Sequence, residues 1–350
     1  MFLKNLEYLE DYVSGTKGDD TFIRLSSNEN NYGPSPKVIE VIKNLSNLTY
    51  KYPDSSYSEL KNILANLNEV DKNNIILGNG TDEIFFYLFL MYLNTNSSIL
   101  TIEKTFTYYR ILANIAGAKV IEAKRGENFS ISCKNIIDSL NPSVRIVIFP
   151  SPDNPTGAII KRECIEKILN SIPKDTIFIL DEAYFHFVPK ELYWNSIDLI
   201  KNYDNFIVTR TFSKFYALAG IRLGYGICSE KVSKLYEKIR MPFNISLIAS
   251  EAGKTAIFEN EYYSNILVRI LKDKKLLMEK LKNIGFEVLE ESYGNFVFIK
   301  APENLGNKLF ERKIVIRDLK SFNYEPGYFR ITVGKTEENE ALIKAIMEIV

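Results

Sequence analysis

Lys214 ends the string Thr209-Arg210-Thr211-Phe212-Ser213-Lys214, and Gly220-Ile221-Arg222-Leu223-Gly224 follows shortly after. A lysine usually decorates a solvated surface. Here hydroxyls, arginines and glycines surround it at the end of an apolar run. That grouping suits a phosphate and a reactive amine together, with guanidinium and hydroxyl donors for the anion and the amine as nucleophile.

Three further clusters carry residue types of the same kind. Gly78-Asn79-Gly80-Thr81-Asp82-Glu83 lies between a strand-like run and an apolar helix-like run. Small residues let the backbone approach a ligand, and a new helix N-terminus offers free N–H groups to an anion. An N-capped strand-to-helix turn has the same look. A dinucleotide fingerprint would need a third glycine at position 83, which is Glu83. Ser151-Pro152-Asp153-Asn154-Pro155-Thr156-Gly157 follows the run VRIVIFP. Its prolines and glycine make a rigid turn that can aim Asn154 into a cleft, although an ordinary turn also fits. Asp181-Glu182-Ala183-Tyr184 ends the run TIFIL. A carboxylate there is either a helix cap or a buried acid awaiting a cation, such as a pyridinium nitrogen.

The elements that must position these clusters are legible as apolar runs. Strands are expected at Asn74–Leu77, Ile99–Ile102, Lys119–Ala123, Val144–Phe149, Thr176–Leu180, Asn205–Thr209 and Leu223–Cys228. Several are apolar on both faces, as in a sheet covered by helices. Helix-like stretches between them, such as Phe106–Ala116 and Lys161–Ser171, give a βαβ alternation and predict a mostly parallel α/β sheet. The four clusters then stand at strand ends, where open α/β sheets bind ligands. The run Ile84–Leu93 has ten residues, too few to span a bilayer, and reads as a buried helix.

Beyond about Ser229 the pattern changes. A charged helix is expected from about Glu261 to Asn283, with Gly285 at its end. Strands follow at Phe286–Leu289, Asn295–Ile299, Ile314–Ile316 and Tyr328–Thr332, then a last helix from about Glu337. The expected organisation is an N-terminal arm over 1–32, a large α/β domain over 33–235 and a small α+β domain over 236–350. The polar first thirty residues are expected to pack on something else.

The chain has 350 residues, 46% hydrophobic and 25% charged, with 44 basic and 44 acidic side chains. Net charge is zero and no long like-sign block occurs, which argues against a nucleic-acid partner. Cys133, Cys164 and Cys228 are scattered, as suits a reducing compartment. No His or Cys spacing suits zinc. The charged N-terminus is not a signal peptide, so a soluble cytoplasmic protein with no membrane partner is expected. Gly253-Lys254-Thr255 imitates the end of a P-loop, but position 248 is Ile248 where a glycine is required.

The order GNGTDE, SPDNPTG, DEAY, SKFYALAG and GIRLGY resembles the fold-type I aminotransferases that use pyridoxal 5'-phosphate. Spacing agrees, with 27 residues from Asn154 to Asp181, 33 from Asp181 to Lys214 and 8 from Lys214 to Arg222. At the front, RLSSNENNYGPSP and KYPD resemble histidinol-phosphate aminotransferases, as do VIRDLKSF and YFRITVGKTEEN at the back. The resemblance implies a mostly parallel seven-stranded large domain and a smaller α+β domain.

It also implies roles. Lys214 would hold the cofactor covalently and shuttle a proton. Asp181 would pair with the pyridine nitrogen and keep it protonated, making the ring an electron sink. Asn154 and Tyr184 would hydrogen-bond the 3′ oxygen, and Phe106 would stack on the ring. The phosphate would take N–H groups of Thr81 and Asp82, the hydroxyls of Thr211 and Ser213, and Arg222. Tyr52 resembles a tyrosine that reaches the neighbouring subunit's phosphate, which implies a homodimer with shared active sites. For substrate, Arg330 would clamp a carboxylate, Arg317 and Tyr12 would bind the phosphate of histidinol phosphate, and Asn28 would line the pocket.

The sequence departs from the common SPNNPTG in carrying Asp153. The strings RDLKSFNYEPGYFR and KFYALAG also resemble threonine-phosphate decarboxylases of cobalamin synthesis. The segments SSNEN and LEDYVSG favour transamination of histidinol phosphate with 2-oxoglutarate. Decarboxylation of a phosphorylated amino acid, or transamination of an aromatic amino acid, stays open. A ligand-sensing domain on the same fold would need an extra DNA-binding segment. His186, the one histidine, reads as structural or at the pocket edge.

Overall fold

In this computed structural model, residues 9 and 13 and the stretch 18–349 are described. The apolar runs fold as strands. In chain order these are β1 (Ile23–Leu25), β2 (Ile75–Gly78), β3 (Ser98–Ile102), β4 (Lys119–Ala123), β5 (Val144–Pro150), β6 (Ile177–Asp181) and β7 (Phe206–Thr211). There follow β8 (Gly224–Ile227), β9 (Glu287–Val288), β10 (Phe296–Lys300), β11 (Ile314–Asp318) and β12 (Tyr328–Thr332). The expected strands all form, within two residues at each end.

Seven strands make the large sheet in the order β2-β8-β7-β6-β5-β3-β4. Its central pairs are parallel, and β8 alone runs antiparallel to both its neighbours. Side chains alternate across a strand, and here both sides are apolar. Phe178 and Leu180 of β6 enter the cluster on one face, while Ile177 and Ile179 enter the cluster on the other. Helix Thr81–Tyr92 covers the second face through Ile84, Phe85, Leu88 and Phe89, so the apolar run over 84–93 is a core helix. Helix Arg162–Ser171 covers the first face through Ile165, Ile168 and Leu169.

The smaller sheet has the order β1-β11-β12-β10-β9 and packs against helices Asn260–Asn283, Leu305–Glu311 and Thr336–Ile349. Gly285, with φ of +101°, turns the chain out of the long helix. Two features differ from the expected division. Residues 23–25, expected in an arm, form a strand that pairs parallel with β11, Ile23 opposite Ile314. They cover a sheet edge that would otherwise present unpaired backbone groups. Ile245, Ala249, Ala252 and Ala256, expected in the smaller unit, lie in the core beneath the large sheet. No described helix is long and apolar enough to cross a membrane.

Candidate active site

β2, β5, β6 and β7 all deliver residues to one cavity at the ends where the chain leaves the sheet. Thirteen of the fifteen expected site residues line it. Tyr52 does not, and Tyr12 lies outside the described residues.

At the cavity's centre, Lys214 Nζ donates to the Ser27 carbonyl at 3.0 Å. Burial, then the nearby Arg330 charge, pushes its amine down to about 8. Loss of hydration disfavours the charged amine, so Lys214 holds its proton weakly and is the better nucleophile.

Asp181 ends β6. Its Oδ2 accepts from the Tyr109 hydroxyl at 2.7 Å and its Oδ1 from the Ala183 amide at 3.1 Å. Burial outweighs these bonds, and its carboxyl is raised to about 7. A buried acid held so high is poised to meet a cation, which would pull it back to the charged form. Tyr109 was missed in the sequence. It sits three positions beyond Phe106 on helix Tyr108–Ile115, and nothing in the string TYYR separates it from Tyr108.

Anion donors gather at the start of helix Thr81–Tyr92. Arg222 Nη2 lies 3.2 Å from Asp82 Oδ2, and Nη1 lies 3.5 Å from Ser213 Oγ. The Thr211 and Ser213 hydroxyls stand 3.0 Å apart. A Cβ on Gly80 would come within 2.4 Å of Arg222 Nη2. The glycine thus lets a guanidinium and a helix N-terminus share one cradle, a combination suited to a phosphate. Arg210, which the sequence groups with these donors, is not among them. Side chains alternate along β7, so Arg210 points away and pairs with Glu182 at 2.8 Å in a buried pair.

Across the cavity, the Asn154 carboxamide oxygen accepts from Arg330 Nη1, and Arg330 Nη2 donates to the Ser26 carbonyl at 2.6 Å. Asn28 Nδ2 donates to the Tyr184 hydroxyl at 2.8 Å. Asn28 has φ of +55°, and its backbone is fixed by its amide donating to Thr332 Oγ1 at 2.9 Å. Arg317 stands opposite Arg330 in the β11–β12 register, so two guanidinium groups face one opening. Phe106 completes the wall and meets Tyr109 edge-on at 5.3 Å. His186 is not at the pocket: it stacks on Phe215 at 4.0 Å, and burial pushes its pKa well below the usual range.

One amine, one buried acid, one anion cradle and two further arginines therefore line one cavity, with Phe106 in its wall. These groups complement pyridoxal phosphate at its aldehyde, ring nitrogen, phosphate and ring face. Comparison with known proteins agrees. The family model for aminotransferases of class I and II matches residues 20–346. The chain is 35% identical to histidinol-phosphate aminotransferase 2 of Archaeoglobus fulgidus, over 95% of this chain and 94% of that one. The structure of histidinol-phosphate aminotransferase from Clostridium acetobutylicum superposes with a TM-score of 0.85 at 27% identity, covering 93% of this chain and 98% of that one. The Sinorhizobium meliloti enzyme of that name, solved in complex with pyridoxal-5'-phosphate, gives 0.88 at 22% identity over 100% and 98%. The chain belongs to the class I and II aminotransferases and is a pyridoxal-phosphate-dependent transaminase.

Proposed function

We propose that this aminotransferase takes histidinol phosphate as amine donor and 2-oxoglutarate as acceptor, yielding imidazole-acetol phosphate and glutamate. The observation that carries the reading is the pair Arg317 and Arg330, facing one cavity beside Lys214. Two guanidinium groups suit a substrate phosphate and a substrate carboxylate in turn. The names of the curated relatives favour the same substrate.

Bound pyridoxal phosphate supplies an electron sink for charge developing at the substrate's α-carbon. The chain's own residues do the rest. Lys214 Nζ, its amine pushed down to about 8, holds the cofactor and then accepts the proton that leaves the α-carbon. Asp181, held by Tyr109 and the Ala183 amide, places a negative charge against the ring nitrogen. Arg222, Ser213, Thr211 and the Thr81 and Asp82 amides hold the phosphate. Asn154 and Tyr184 orient the ring oxygen, and Phe106 covers one face. Arg330 binds the carboxylate of glutamate, while Arg317, with Tyr12, binds the phosphate of histidinol phosphate. Asn28 fixes Tyr184 and lines the pocket.

The enzyme is proposed to act as a homodimer. Tyr52 is 80% exposed, stacks on Phe243 at 4.6 Å and lies outside its own chain's cavity, as a residue serving a second copy should.

The test is spectroscopic. Purified protein given pyridoxal phosphate should develop the visible band of the lysine-bound cofactor, and K214A should lack it. Histidinol phosphate should discharge that band in the wild type. Arg317→Ala should weaken histidinol phosphate roughly a hundredfold and glutamate far less, from the loss of a charge-assisted pair. Carbon dioxide release from a phosphorylated amino acid, without glutamate formation, would replace this reading with a decarboxylase.

A further inference from the structure

Asp153 is wholly buried yet does not line the cavity. Its Oδ1 accepts from the Thr105 hydroxyl at 2.6 Å. Its Oδ2 takes the Thr156 amide at 3.2 Å, the Thr156 hydroxyl at 2.5 Å and Arg125 Nη2 at 2.9 Å. Arg125 is equally enclosed, its side chain 5% exposed. Its remaining N–H groups donate to the carbonyls of Glu103, Lys104 and Phe129 at 3.0 to 3.2 Å. Each isolated charge would be costly so deep in the protein, and together they compensate each other.

The pair ties two segments that leave neighbouring strands. One leaves β3 and carries Thr105 and Phe106. The other leaves β5 and carries Asp153 and Asn154. The Thr105 hydroxyl also reaches the Asn154 carbonyl at 3.4 Å. One residue on, the Asn154 side chain accepts from Arg330 Nη1. A connected path therefore runs from Arg125 through Asp153 to the ring wall on one side and to the carboxylate-binding arginine on the other.

We propose that Asp153 and Arg125 are positioning residues: their buried ion pair sets the spacing between Phe106 and Asn154 and thereby aims Arg330. The inference rests on the proposed cofactor and substrate roles of Phe106, Asn154 and Arg330. An amide at 153 would keep the shape but replace the charge opposite Arg125 with a dipole. The two segments would then lose their charged tie through Arg125, and the cavity would bind both cofactor and carboxylate less well, with the proton-moving Lys214 untouched.

The test compares wild type, D153N and the double variant R125M/D153N as holoenzymes, with the cofactor's Kd measured by equilibrium dialysis. D153N should raise that Kd and the KM for glutamate roughly tenfold each, with kcat within about twofold, as expected for lost ground-state binding. The double variant removes both charges and leaves neither buried alone. Losing the Arg125 bonds to the Glu103, Lys104 and Phe129 carbonyls should keep its Tm below wild type, but with no buried charge left unpaired it should melt above D153N, which keeps the test decisive where D153N is too unstable to purify. It should still show the raised Kd and KM, a split that a purely structural role would not give. Wild-type Kd and KM in either variant, whatever its Tm, would overturn the inference alone. A wild-type protein that binds no pyridoxal phosphate would overturn both this inference and the site reading beneath it.

Discussion

Tyr109 and Lys274 are the two buried groups whose chemistry lies furthest from what their sequence context announces. The Tyr109 hydroxyl donates to Asp181, and such a bond favours the charged carboxylate. Y109F removes it without opening much space. In the proposed role of Asp181, its carboxyl should then titrate higher, and the acid limb of the kcat/KM profile should move to higher pH. At neutral pH kcat/KM should fall about tenfold, the worth of one hydrogen bond to a charged group. An unmoved acid limb would detach Tyr109 from the titration. Lys274 lies on helix Asn260–Asn283 and donates to the carbonyls of Ser292 and Gly294. Burial pushes its amine down to about 7 from the usual 10.5. Between those values the unfolded chain binds the extra proton. Stability therefore rises with pH across that window, by up to about 1.4 kcal/mol per unit from this group. K274M should flatten that part of the slope in urea unfolding compared at about pH 7.5 and 9.5. A slope equal to wild type would mean that Lys274 is charged when folded. Lys214 and Asp181 were legible because residues beside them in sequence, Ser213 and Ala183-Tyr184, line the same cavity. Tyr109, Lys274 and Arg125 were not, because each meets its partners across tens of residues and nothing local marks it.

At the scale of elements, short unbroken apolar runs made the central strands readable. VRIVIFP and IFILD bury both faces, and a run of that kind has few alternatives to a covered sheet. β1 was not readable. It has three residues, and its partner β11 lies nearly the whole chain away, so its pairing comes from tertiary contact and not from its own pattern. The turn after β5 was readable as rigid, but the reason for Asp153 in it was not, since a charged residue in a loop ordinarily faces water. The anion cradle depends on how closely β8 approaches helix Thr81–Tyr92. A Cβ on Gly224 would stand 2.6 Å from the Thr81 amide nitrogen and 2.7 Å from the Gly80 carbonyl carbon. Both are backbone atoms, so the helix start itself would have to move. G224A should therefore weaken cofactor binding at least about tenfold, because it displaces the N–H groups offered to the phosphate. Its melting temperature should fall by a few degrees, in line with about 1–3 kcal/mol for overpacking a tight contact. Full cofactor affinity in a folded G224A protein would remove this helix start from the phosphate site.

At the scale of the whole molecule, Tyr52 and the Phe243 ring it stacks on stand exposed outside the cavity. Tyr50 and Tyr52 are 77% and 80% exposed, and Met241 and Phe243 stand out with them. Single exposed apolar residues are ordinary, whereas a group of this size asks for a covering surface. A second copy of the chain is the proposed cover, with Tyr52 of each copy reaching the other's phosphate. In a two-fold dimer each site would then take Lys214 from one chain and Tyr52 from the other. K214A and Y52A should each be weak or inactive alone, for different reasons, and each site of either homodimer is damaged. When the two are mixed and allowed to exchange subunits, hybrid dimers carry one site with both residues intact. Random exchange makes half the dimers hybrids, so activity should recover to about a quarter of the wild-type value. A strictly monomeric protein, or mixtures no more active than their parts, would place Tyr52 outside the active site. Recovery would place a further component of the phosphate cradle on the neighbouring chain, beside Arg222, the Thr211 and Ser213 hydroxyls and the helix start at Thr81.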